Sequence, residues 1–337
     1  MTRRTVSGLA LAAALSSPAL AASHVEEVTF GTNWRAQAEH GGFYQAVADG
    51  TYEACGLGVT IVPGGPQVNN RALLLAGKLD FYMGGDLLQA FAGAAEGIPF
   101  VAVAAIFQKH PQVILAHPGK AGSFEDLKDL ELMISDSGFA TFYRWMMGEH
   151  GFTEAQRVPY TFNPAPFVAD EGRAMQGYLT SEPFAVEKEA GFAPDVFLLA
   201  DAGYSTYATT IEVMRDTLEN DADAVKCFVE GSIAGWDTYL NGDNSAANDL
   251  IKADNPDMSD EKILYAIEKM KAFGIVQSGD ALERGIGVMT RENVQRFHDQ
   301  MVEAGVIEPL EDVGVVFDDR FVGRGATTGA KSMEKAQ

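Results

Sequence analysis

Apolar and polar positions change their period repeatedly along the chain, most clearly between residues 59 and 86. Residues 59–62 form a short β-branched run, broken by Gly64 and Gly65, and Pro66 stands where a first helical turn tolerates a missing N–H. Val68, Ala72, Leu75 and Ala76 then repeat at helical spacing as far as Gly77. Residues 79–83 are a second strand-length apolar run closed by Gly84 and Gly85, and Asp86 is placed to cap a helix over 87–96. The pattern predicts a βαβ unit followed by a further helix. Ligands of open parallel sheets bind beyond the carboxyl ends of strands, where helix N-termini point free N–H groups outward. Gly84, Gly85 and Asp86 are therefore candidate ligand-binding residues.

The same grammar recurs on both sides of this unit. Residues 25–31 read as a first strand with Asn33 and Trp34 at its carboxyl end, and Trp34 is either a ligand platform or a rim residue packed over the core. Glu39-His40-Gly41-Gly42 opens a helix that gives Phe43 and Val47 to the core and His40 and Tyr44 to the open face; its glycines would let a backbone or ligand approach closely. The apolar run 99–107 is a buried strand ending at Phe107 and Gln108. Residues 112–116 are another strand, and the Gly- and Pro-rich break at 117–122 is where the chain is expected to pass into a second lobe. Residues 135–141 repeat the order of strand, small polar turn and helix, offering Ser137, Phe139 and Thr141 as ligand contacts, with simple N-capping an equal reading for Ser137. An extended segment at 160–166 contributes Asn163. Glu182 opens a helix from a strand end and serves either as a cap or as a ligand acceptor. The return passage is expected at 204–210, with Tyr207 facing the cleft. From 217 onward the pattern is helical, with core-facing helices over 222–240, 260–273 and 291–304.

A chain of 337 residues, 47% apolar and 21% charged, is ordinary for a globular protein and long enough for two cores. Arg3 and Arg4, an apolar run too short to span a bilayer and an A-x-A site at 19–21 read as a cleavable export signal. The expected division is a signal peptide at 1–21, a first lobe at 22–116, a second lobe at 117–209, a return to the first lobe with C-terminal helices at 210–322, and a frayed tail at 323–337. The formal charge of −22 becomes two units more negative without Arg3 and Arg4. Such a surface disfavours nucleic acid and suits a monomer. The only cysteines, Cys55 and Cys227, lie in apolar, helical settings. They are expected as buried free thiols, although an exported protein could also pair them. The six histidines show no metal-ligand spacing, and neither a metal nor a cofactor is expected.

No P-loop, G-x-S-x-G elbow, H-E-x-x-H or strand-linked G-x-G-x-x-G occurs, which weighs against an enzyme. Trp34 with Gly42-Phe43-Tyr44, the 57–63 strand, Gly77-Lys78-Leu79-Asp80, Gly97-Ile98-Pro99 and Asp126-Leu127-Lys128 resemble the periplasmic substrate-binding proteins of ABC importers. The subgroup resembled takes up thiamine pyrimidine precursors, alkanesulfonates or nitrate. The resemblance implies a type II periplasmic-binding-protein fold. Its two α/β lobes, each a mixed and mostly parallel sheet flanked by helices, are joined by two extended crossovers and close on a small molecule. It also implies delivery to an inner-membrane permease with its cytoplasmic ATPase; a sensor docking on a receptor is the alternative partner. Fungal pyrimidine synthases share the fold but need a cysteine cluster, a histidine and a lysine holding pyridoxal phosphate. Here 83–89 has no lysine and Gln89 stands in place of the histidine.

An anionic ligand would be repelled by Asp86 and Glu182, whereas an aminopyrimidine offers N–H donors to carboxylates and a ring that stacks on aromatic faces. Trp34, Phe107, Phe139 and Tyr207 are the expected faces. Arg35 or Arg173 reaching in would restore anion binding.

Overall fold

In the computed structural model, which describes residues 25–323, ten strands form two five-stranded sheets. The strands are β1 (Glu26–Gly31), β2 (Leu57–Val62), β3 (Phe81–Asp86), β4 (Phe100–Phe107), β5 (Gln112–Ala116), β6 (Glu131–Ile134), β7 (Arg157–Pro159), β8 (Arg173–Tyr178), β9 (Asp195–Leu198) and β10 (Ala208–Met214). The first sheet has the order β2-β1-β3-β10-β4 and the second β7-β6-β8-β5-β9. β1 pairs parallel with β2 and β3, as β6 does with β7 and β8. β10 lies antiparallel between β3 and β4, and β5 antiparallel between β8 and β9. Each sheet is thus completed by the strand that has just arrived from the other lobe. The expected signal peptide and all of the expected tail except Gly323 lie outside the described residues.

The second sheet corrects one expectation. β5 was expected in the first lobe but pairs with β8 and β9, so the chain crosses at 108–111. The Gly- and Pro-rich stretch at 117–122 is a turn inside the second lobe, where Gly119 takes φ +74°. Turn-forming residues mark a reversal of the chain, which need not coincide with a lobe boundary.

β4 is buried at all eight positions although it ends the sheet order. Later segments cover it: Ala102 N–H donates to Val316 O, Asp318 N–H to Ala102 O, and Ala105 N–H to Gly287 O. The helix Ala222–Asn241 packs on the helix Gly41–Ala48. A Cβ on Gly41 would stand 2.0 Å from the Tyr239 ring, and one on Gly42 2.1 Å from Trp236. These two glycines admit aromatic rings from the packing helix, not a ligand.

Cys55 and Cys227 form a disulfide, which overturns the expectation of free thiols. Tyr52 stacks on Phe228 at 5.1 Å, and its hydroxyl pairs with Ser232 Oγ at 2.8 Å. This packing brings the two cysteine Cα atoms to 5.9 Å, within bridging range. An apolar, helical setting was read for each, but not that the two segments meet; Cys227 is buried on its helix, whereas Cys55 directly follows the short helix Thr51–Ala54 and is exposed. The bridge closes a loop of 172 residues, so its loss is expected to cost about 2–5 kcal/mol. Urea unfolding of the Cys55→Ser/Cys227→Ser variant should show a clearly lower midpoint; an unchanged midpoint would mean the bridge contributes nothing.

Candidate functional site

The parallel strands of both sheets end at a cleft of about 210 Å³ between the lobes. The first lobe contributes Asn33 and Trp34 beyond β1, Glu39 and His40 from a 3₁₀ turn (Ala38–His40), Met83 on β3 and Thr209 on β10. The second contributes Ser137 beyond β6, Tyr160 and Phe162 beyond β7, Tyr178 at the end of β8, and Ser181 and Glu182 at the start of the helix Glu182–Ala190. The geometry follows from topology, since strand carboxyl ends and the turns after them face one another.

Two carboxylates meet here. Glu39 is buried and accepts a hydrogen bond from the Thr180 hydroxyl, a contact between lobes. Glu182 accepts from the Tyr178 backbone N–H at 2.6 Å. Burial pushes both carboxyls up, while Lys262, on the helix Asp260–Ala272 packed against the 3₁₀ turn, pulls both down. His40 is 1% exposed, and burial pushes its imidazole down to about 3. It is therefore neutral at ordinary pH, and its buried Nδ1 has no protein partner. Among the described residues, no lysine or arginine lines the cleft.

Aromatic rings form the other walls. Trp34 of the first lobe and Phe162 of the second lie 5.1 Å apart at 49°, and Tyr160 is 5.4 Å from Phe162. Phe162 has φ +62° and is 46% exposed; Thr209, buried in β10, has φ +49°. Left-handed backbone at non-glycine residues is strained and concentrates at ligand clamps.

Of the residues expected from sequence, Asn33, Trp34, His40, Ser137 and Glu182 border the cleft together. Ser135, not Ser137, caps its helix by accepting from Gly138 N–H at 3.1 Å, which leaves the Ser137 side chain at the cleft. Gly85 adjoins the rim, its Cβ direction leading to Asn33 Nδ2 at 3.7 Å.

The remaining candidates are engaged elsewhere. Asp86 is buried, accepts from Leu88 N–H at 3.0 Å and from the Tyr204 hydroxyl at 3.0 Å, and does not line the cleft. Gly84 is a packing glycine, since a Cβ there would stand 2.1 Å from Glu212 Oε1 and 2.3 Å from Thr210 Oγ1. The Tyr44 hydroxyl donates to Asp254 at 2.7 Å, and Tyr207 hydrogen-bonds Asp280, Thr290 and Asn293. Phe107 is fully buried, 5.5 Å from Trp236. The Gln108 amide donates to Val288 O, the Arg157 guanidinium covers Phe139 at 4.7 Å, and Thr141 donates to Ser137 O. Asn163 accepts from Ala165 N–H at 3.0 Å in a local turn. The arginines considered for anion binding pair at the surface, Arg35 with Asp257 and Arg173 with Glu131 and Asp170.

Sequence reasoning did not name several residues that line the cleft, among them Glu39, Met83, Tyr160, Phe162, Tyr178 and Thr209. The available signal was position: Tyr160 and Phe162 follow a strand end just as Trp34 follows β1.

A family model described as NMT1/THI5 like matches residues 37–246, more than half of the chain. No curated protein matches the sequence. Solved structures are similar in fold at low identity. The Candida albicans CA3427 gene product, described as having the generic periplasmic-binding-protein fold, is 16% identical with a TM-score of 0.61, covering 88% of this chain and 97% of its own. The alkanesulfonate-binding protein SsuA of Xanthomonas axonopodis pv. citri is 14% identical with a TM-score of 0.61, covering 88% and 100%. The desulfurization enzyme DSZB is 13% identical with a TM-score of 0.54, covering 88% and 97%. These likenesses establish a two-lobed α/β periplasmic-binding-protein fold.

Burial of neutral His40 has a consequence for stability. Its folded pKa lies below its unfolded value of 6.5, so the unfolded state binds the proton first. The contribution is complete above pH 6.5 and is lost as pH falls toward 3. Urea unfolding should show His40→Gln losing less stability than the native protein between pH 7 and pH 4.5; equal losses would contradict the buried neutral state. Buried His110, also pushed down by burial, leaves a residual acid dependence in both.

Proposed function

The chain belongs to the NMT1/THI5-like family, and from that premise we propose that it is the solute-binding component of an ABC uptake system. It closes on a small, flat, neutral or weakly basic heteroaromatic ligand, with a thiamine pyrimidine precursor the leading case. One observation carries this reading: an aromatic-walled cleft with Glu39 and Glu182 in its lining and, among the described residues, no lysine or arginine. Carboxylates accept from ring and exocyclic N–H groups, and Trp34, Tyr160 and Phe162 offer faces to a ring, each contact contributing about 0.5–3 kcal/mol. Asn33, His40 and Ser137 supply the remaining polar contacts.

The same lining disfavours the sulfonate and nitrate reading, because an anion would meet carboxylates without a compensating cation. A synthase reading needs a lysine to hold pyridoxal phosphate, and none lines the cleft among the described residues. Export to the periplasm is supported by the signal-like segment 1–21 and by the Cys55–Cys227 disulfide, since such bridges persist in oxidising compartments. In this reading the protein acts as a monomer and presents its closed form to the permease.

Thermal unfolding with formylaminopyrimidine, hydroxymethylpyrimidine, taurine, a longer alkanesulfonate and nitrate tests the assignment. A pyrimidine at roughly 100 times its dissociation constant should add about 2.7 kcal/mol, raising the midpoint by several degrees. A rise with sulfonate or nitrate alone would contradict it.

A further inference from the structure

The charges around the cleft do not balance. Glu39 from the first lobe and Glu182 from the second line the same small cavity, and each raises the energy of the other's ionised form. One cation, Lys262, acts on both from behind the 3₁₀ turn. The other groups facing them carry no charge at neutral pH: Tyr160, Tyr178 and Tyr239 are phenols that burial pushes up, and His40 is held neutral. Burial pushes both carboxyls up, and ionising both against one ammonium would leave a deficit of one positive charge in a desolvated pocket, where an uncompensated charge is costly. A second, independent feature also points to a ligand. His40, 1% exposed and part of the lining, keeps a buried Nδ1 with no protein partner.

We propose that the ligand supplies the missing charge: a planar aminoheterocycle carrying a single protonated amine, seated between Glu39 and Glu182 with its ring against Trp34 and Phe162. This rests on the solute-binding reading and narrows it, from a neutral or weakly basic ring to a monocation. Glu39 is the specificity-determining residue. It joins the lobes through Thr180, so ligand charge and lobe closure meet at one carboxylate. Burial of the cation repays its lost hydration only where both carboxylates are ionised, which an uncharged isostere does not require.

The test is calorimetric titration of the purified protein at pH 7 with two nearly isosteric 4-aminopyrimidines, one bearing an aminomethyl group and the other a hydroxymethyl group. The aminomethyl compound should bind at least tenfold more tightly, and Glu39→Gln, which still accepts from Thr180, should reduce that preference below threefold. Equal or tighter binding of the hydroxymethyl compound overturns the monocation while leaving solute binding intact. A preference unchanged in Glu39→Gln overturns the role of Glu39. Binding of neither pyrimidine, with or without a response to taurine, overturns the inference, and a response to taurine alone overturns the function beneath it as well. Should Glu39→Gln lose its native circular dichroism, Glu182→Gln serves as the second variant, and the comparison of the two ligands on the native protein remains decisive.

Discussion

A single buried carboxylate, Asp86, gathers the segments that set one lobe against the other. It ends β3, caps the helix Leu87–Ala95, and accepts the hydroxyl of Tyr204 from the return passage. His110, on the outgoing passage, places Nε2 3.7 Å from it. Because Gln112 N–H donates to His110 Nδ1 at 3.1 Å, the neutral ring carries its proton on Nε2, toward Asp86. Leaving one such buried group unpaired costs about 1–3 kcal/mol, and more for a charge. Both passages are therefore anchored at the end of one strand, and the cleft opens beside that anchor.

The cleft inherits its chemistry from this arrangement. Strand carboxyl ends deliver short polar turns and helix starts to one place, and β10 and the turn after β7 add strained positions at Thr209 and Phe162, each costing about 1–3 kcal/mol. Thr209 follows Ala208, the residue of β10 paired with Asp86, so strain and anchor are adjacent. The lobes also touch through Thr180 and Glu39 and through Trp34 and Phe162. In the proposed function, closure and ligand recognition would thus use the same side chains.

Much of this was legible in the sequence where the signal is local. The run from β2 to the helix after β3, the capping role of Asp86 and the long helix ending near Asn241 follow from period and punctuation. Asn33, Trp34, Ser137 and Glu182, read from strand ends and helix starts, border the cleft. What failed was the assignment of residues whose polar groups are consumed by distant partners. Asp86 is taken by Tyr204, Tyr44 by Asp254 and Tyr207 by Asp280, all far apart in sequence. Gly84 imitated a ligand-approach glycine because a neighbouring strand presses on it just as a ligand would. The disulfide and the true crossing point are likewise tertiary facts, set by which helices pack together and which sheet a strand joins.

The proposed recognition depends on the orientation of Glu39 and Glu182 toward a ring held by aromatic walls. A crystal structure of the protein with a bound aminopyrimidine tests that most directly. The ring should lie against Trp34, with its N–H donors within hydrogen-bond distance of at least one of the two carboxylates. A ring bound outside the cleft, or both carboxylates turned away from it, would contradict the account.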